Sequence, residues 1–146
     1  MRKEPDKRTD DLAREVIGAA MDVHRILGPG YLESVYEEAL SVELKLRAIT
    51  FERQKGMAVE YKGYPVGEGR LDMLVDGSLI VELKAVESLS PIHTAQVISY
   101  LKAMRLPLGL LINFNTCLLK DGIKRIILSD FPGGLGVLAV QSKDAK

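Results

Sequence analysis

The sequence predicts an α/β domain whose central β-sheet is flanked by helices, with one further helix ahead of the core. Three observations predict it. Apolar residues recur at helical spacing through the first third of the chain, an Asp-Gly turn at Asp76 and Gly77 joins two apolar stretches, and a helix headed by Ser90-Pro91 leads into the nearly unbroken apolar run Leu108 to Phe114.

The 146 residues fit one domain spanning 1–146, with 1–8 and about 141–146 expected to be flexible. Thr9 or Asp10 is read as the cap of a first helix, and Leu12, Val16, Ala19 or Ala20, Val23 and Leu27 give it one core face. Gly28-Pro29-Gly30 ends it. A second helix is expected from Tyr31 to about Arg47, with Leu32, Val35, Tyr36, Ala39, Leu40 and Leu44 as its apolar stripe. Glu37, Glu38 and Glu43 are read as a solvated acidic face, and Glu33 is left out of that assignment.

Alternation through Ile49, Phe51 and Arg53, and again through Met57, Val59 and Tyr61, predicts strand structure up to a turn at Lys62-Gly63. A hairpin from Asp72 to Lys84 follows, closed by a two-residue Asp76-Gly77 turn. Ser90 caps the third helix and Pro91 takes its first position; Val97, Leu101 and Met104 form the packing stripe, with His93, Gln96 and Tyr100 on another face. Leu108 to Phe114 suits a fully buried central strand. Ile123 to Leu128, after an Asp121-Gly122 turn, reads as its hairpin partner, and Val137 to Val140 as an edge strand or a contact with another subunit.

Twenty basic and twenty acidic residues cancel, which weighs against tight nucleic-acid binding through bulk charge. The single cysteine, Cys117, cannot form an intrachain disulfide, and its neighbours Leu118 and Leu119 suggest a small buried apolar residue. The charged N-terminus resembles neither a signal peptide nor a membrane anchor, so no membrane contact and a cytoplasmic location are expected.

Charges sit unexpectedly in the central hairpin. Strand alternation puts Glu82 and Lys84 side by side with Ile80, away from Val81 and Leu83, and antiparallel pairing brings Asp72 towards them. Two carboxylates and a lysine suit a hard cation such as Mg²⁺ or Mn²⁺, with Lys84 orienting water or offsetting phosphate charge. A surface ion pair on a half-exposed strand is the alternative that these residues alone leave open.

The motifs taken together resemble those of the PD-(D/E)XK nuclease superfamily, and within it the GxxExxY family. Gly30-Tyr31-Leu32-Glu33-Ser34-Val35-Tyr36 is that motif, and Leu71-Asp72, Val81-Glu82-Leu83-Lys84, Gln96 with Tyr100, and Leu110-Leu111-Ile112-Asn113-Phe114 follow in order. The resemblance implies a restriction-endonuclease-like core of order αβββαβ after an extra N-terminal helix. It also implies a metal-dependent nuclease acting on nucleic acid, DNA favoured over RNA, in repair, processing or defence. Asp72 and Glu82 match the direct metal ligands, Glu33 an acid that binds through water, and Lys84 the catalytic lysine. Gln96 and Tyr100 match a Gln-x-x-x-Tyr motif, seen in RecB-like nucleases, that contacts nucleic acid or steadies the site. His24 is read first as a capping or packing histidine; the resemblance offers it a second role as a metal ligand. His93 is read as a first-turn polar residue. A rival reading is a non-catalytic nucleic-acid-binding or assembly module. A homodimer, or a protein partner that delivers the substrate, is compatible with either.

Overall fold

In a computed structural model of the chain, which describes residues 5–130 and 136–142, the first helix α1 (Lys7–Leu27) starts earlier than expected. Asp6 is its cap, accepting the Thr9 N–H at 2.8 Å, because Thr9 is itself nearly buried against the domain and Asp10 is bonded to Arg125. The second helix α2 (Glu33–Leu46) lies against α1. One guanidinium ties the pair: Arg47 reaches Asp22 at 2.8 Å, Glu43 at 3.0 Å and Glu15 at 3.3 Å.

The strands are β1 (Phe51–Tyr61), β2 (Tyr64–Val75), β3 (Leu79–Lys84), β4 (Leu108–Asn113), β5 (Ile123–Asp130) and β6 (Gly136–Ser142); α3 (Pro91–Met104) lies between β3 and β4. Among the described residues they form one six-stranded sheet in sequence order. Only the β3–β4 step within it is parallel, as a helical crossover requires. The α/β class and the mixed sheet flanked by helices are as expected, and the architecture is that of a restriction-endonuclease-like fold.

The core lies in two layers. Alternate residues of the central strands, among them Met73, Val75, Val81, Leu83, Leu110 and Ile112, pack under α1 and α2. Leu74, Ile80 and Leu111 face the other way, onto Val97 and Leu101 of α3. Gly109 makes that second layer close: a Cβ there would stand 2.8 Å from Val97 Cγ1. All six residues of β4 are buried, the burial expected of a central strand.

Three further local expectations fail. The β2–β3 turn has three residues, since Val75 pairs with Leu79; Asp76 and Gly77 both take positive φ and the Ser78 N–H closes onto the Val75 carbonyl at 3.0 Å. Cys117 is exposed, because the bend after β4 turns Leu119, and not its neighbours, into the core. Glu37 is not on a solvated face: it is only 8% exposed, held by Arg53 Nε at 3.0 Å and Gln54 Nε2 at 2.9 Å. Glu38 and Glu43 do remain at the surface, paired with Arg53 and Arg47. The Val137 to Val140 stretch lies in β6, an edge strand beside β5. Of the ends expected to be flexible, 1–4 and 143–146 fall outside the described residues, whereas Lys7 and Arg8 begin α1 and residues 141 and 142 end β6.

Candidate functional site

The backbone ladder between β2 and β3 runs through Val75, Leu74 and Met73 and then stops. The next positions in register are Asp72 and Glu82, and here side chains replace the ladder. The Asp72 N–H donates to Glu82 Oε2 at 2.8 Å, and the Leu83 N–H donates to Asp72 Oδ2 at 2.8 Å. Each strand thus holds the other's carboxyl group in place through a backbone amide.

Burying two acids together costs free energy. Glu82 is 3% exposed, and its carboxyl is pushed up to about 8, by burial first and by the Asp72 charge second. The Asp72 carboxyl is also raised, chiefly by burial, although the Leu83 amide pulls it back. Glu33 completes an acidic neighbourhood: half-buried, it is raised by burial and then by Asp72, with Lys84 opposing.

Lys84 is fixed from behind. It sits opposite Asn113 in the parallel register, and its carbonyl accepts the Phe114 N–H at 2.9 Å. The Asn113 carboxamide then clamps Val86, accepting its N–H at 3.0 Å and donating to its carbonyl at 2.9 Å. In front, Lys84 Nζ makes a long 3.4 Å contact to Gln96 Oε1, and both line a cavity of about 320 Å³ with His93 and Ser99. The Tyr100 phenol is raised by burial first and then by Glu82 and Asp72. Gln96 and Tyr100 therefore face the acids from α3. His93 does another job: its Nδ1 accepts the Ser90 N–H at 3.0 Å and caps α3.

The glycine turn ahead of α2 sets where Glu33 stands. Tyr36 is buried and stacked on Phe114, and its hydroxyl donates to the Gly28 carbonyl at 2.6 Å while accepting the Tyr31 N–H at 3.1 Å. That closes the loop so that Glu33 becomes the first residue of the helix. Tyr36→Phe is expected to cost about 1–2 kcal/mol of stability, since the buried ring loses two part-buried hydrogen bonds that close the loop; urea denaturation of the variant measures it, and an unchanged midpoint contradicts this role. His24, 8% exposed, spends Nε2 on the Thr116 carbonyl at 2.8 Å and tilts against Phe114. These contacts are those of a packing histidine.

Two residues escape a reading of the sequence alone. Gln54, in a left-handed backbone conformation, donates to Glu37 at 2.9 Å and so ties β1 to α2. Asn113 carries a signal, being the polar residue inside an apolar run; Gln54 carries none.

Among the described residues no three His, Cys, Asp or Glu side chains cluster as a ready-made metal cage. The donor set is instead two hard carboxyl groups, Glu82 buried and Asp72 half-buried, each anchored through one oxygen with acceptor capacity left over. That fits Mg²⁺ or Mn²⁺, which keep several waters and need one or two carboxylates. A family model described as the PD-(D/E)XK nuclease superfamily matches residues 10–126. No curated protein and no solved structure matches the chain.

Proposed function

The chain belongs to the PD-(D/E)XK nuclease superfamily, and from that premise we propose that it is a divalent-metal-dependent nuclease of the GxxExxY type that hydrolyses phosphodiester bonds, with DNA the favoured substrate. The observation that carries the reading is the exchange of backbone bonds between Asp72 and Glu82 with Lys84 and Gln96 beside them. Asp72 and Glu82 would hold the cation, Mg²⁺ or Mn²⁺, with Glu33 acting through water. The bound cation supplies Lewis-acid stabilisation of the charge that develops on the phosphate.

The chain's own groups do the rest. Lys84 Nζ donates a hydrogen bond to the attacking water or to a phosphate oxygen. Gln96 and Tyr100 orient the strand from α3, and Asn113 keeps Lys84 from shifting by pinning the residues after it. His24 stays in the packing role that its Thr116 bond supports. Among the described residues no helix is long and apolar enough to cross a membrane; action in the cytoplasm belongs to the same proposal, as does a role in repair, processing or defence.

Labelled DNA and RNA, single-stranded, duplex and branched, should be incubated with the chain in Mg²⁺ and in Mn²⁺. Cleavage of at least one substrate is expected, with loss of about a hundredfold or more in Lys84→Ala and Asp72→Asn. Cleavage that survives both substitutions would sink the assignment.

A second reading, a non-catalytic nucleic-acid-binding or assembly module, draws on the lack of any three-residue metal cluster among the described residues. Calorimetry separates the two: such a module takes up no Mn²⁺ that depends on Asp72 and Glu82. A homodimer or a delivering partner fits either reading.

A further inference from the structure

The candidate cleavage site is shallow, but it opens sideways. A second cavity, of about 660 Å³, lies between β1 and the C-terminal half of α3; Met57, Val59 and Glu60 line it from the strand, and Ser99, Lys102 and Arg105 from the helix. Ser99 also lines the cavity that contains Lys84 and Gln96, so the two share a wall. Lys102 and Arg105 are exposed. A path with two cationic heads therefore runs from the acid pair along α3, with Glu60 as an acid on its far bank.

Where the path leaves the domain, β1 and β2 continue as a two-stranded ribbon. Every residue from Ala58 to Glu68 is exposed. Its turn is Lys62-Gly63, both at positive φ, and the residues on either side, Tyr61 and Tyr64, are cross-strand partners and so share a face. They are 62% and 72% exposed, with Lys62 Nζ 5.4 Å from the centre of the Tyr61 ring. Folding alone gives no reason to present two phenol rings and a lysine at the tip of a ribbon, where both rings stay open to solvent.

We propose that this ribbon and groove form a binding track for single-stranded nucleic acid, with bases stacking on Tyr61 and Tyr64 and phosphates drawn to Lys102 and Arg105. The inference rests on the nuclease reading for where the strand leads. Every base presents a π-face, so paired aromatic platforms hold a strand without reading its sequence, whereas a duplex keeps those faces stacked on one another. A chain with no net charge lacks a general field to attract nucleic acid, and stacking with a few local cations supplies affinity without one. The reach is suitable. Gln54 lies opposite Asp72, and Tyr61 is seven residues further along β1. At about 3.3 Å per residue that is roughly 23 Å, or about seven nucleotides at about 3.4 Å per stacked base.

Fluorescence anisotropy in EDTA tests it, using the full chain with a 20-nucleotide single strand and the matching blunt duplex. The wild type is expected to bind the single strand more tightly. Tyr61→Ala with Tyr64→Ala should weaken that binding about tenfold or more at an unchanged melting temperature, and the double Phe variant, which keeps both rings, should restore it. Lys102→Ala with Arg105→Ala should shrink the salt slope of log K by about two phosphate contacts at the roughly 0.7 per contact of single strands. Wild-type binding that ignores the tyrosines, or that favours the duplex, overturns this inference and leaves the nuclease reading standing. Absence of any binding by the wild type likewise overturns this inference, while the nuclease reading stands or falls separately on the cleavage assay in Mg²⁺ and Mn²⁺.

Discussion

Glu82→Gln is expected to lose metal-dependent cleavage by about a thousandfold or more while melting at or above the temperature of the wild type. Both halves follow from one position. Glu82 supplies one of two carboxylates to the proposed cation, and several kcal/mol of transition-state stabilisation goes with it. The same carboxylate is 3% exposed and its backbone partner is a neutral amide, which a glutamine oxygen can still accept. The substitution keeps the bond to Asp72 and removes the cost of a buried charge. Cleavage assays and thermal denaturation on one preparation measure the pair of effects. A variant that cleaves, or one that melts far below the wild type, would count against the assignment of Glu82.

The second large effect is on stability without metal. The Glu82 carboxyl lies at about 8 in the folded chain, above the ordinary 4.5, because burial and Asp72 disfavour its charge. Folding therefore favours the protonated acid. Its contribution is full below about pH 4.5 and is lost as the pH rises through about 8. Each tenfold difference in proton affinity between the folded and unfolded chain is worth about 1.4 kcal/mol, so in a chelator the chain should lose on the order of 4 kcal/mol between about pH 5 and about pH 8.5. Mn²⁺ should restore most of this at about pH 8 and little at about pH 5, where protons already occupy the site. Glu82→Gln should flatten the profile. Denaturant midpoints across that range, with and without EDTA, read it directly, and a wild-type profile as flat as that of the variant would refute it.

Much of the fold is legible in the sequence because it rests on short-range rules. Alternation through Ile80, Glu82 and Lys84 puts the charges on the face covered by α3, and Ser90-Pro91 marks the start of that helix. The misses depend on partners far along the chain. Glu37 resembles any solvated helix acid until Arg53 and Gln54 arrive from β1 to bury it. Cys117 looks apolar from its neighbours, but the bend that exposes it is set by how Leu119 seats. Thr9 is a reasonable cap by composition; tertiary packing moves the helix start back to Asp6. At the candidate site the residues are visible in the sequence and their geometry is not. That Asp72 and Glu82 bond to each other's strands, and that Asn113 holds the chain beyond Lys84, needs the register of three strands.

The three-residue turn at Asp76, Gly77 and Ser78 gives the site a built-in safeguard. Its length decides which side of the sheet each residue of β3 visits, and a slip of one position would exchange Glu82 and Lys84 with Val81 and Leu83. Such an insertion or deletion would push two charges under α1 and α2 and strip the same layer of two apolar side chains. Misalignment of the chemistry and collapse of the interior are thus one event, so a one-residue slip at this turn cannot disable the site and leave the fold intact.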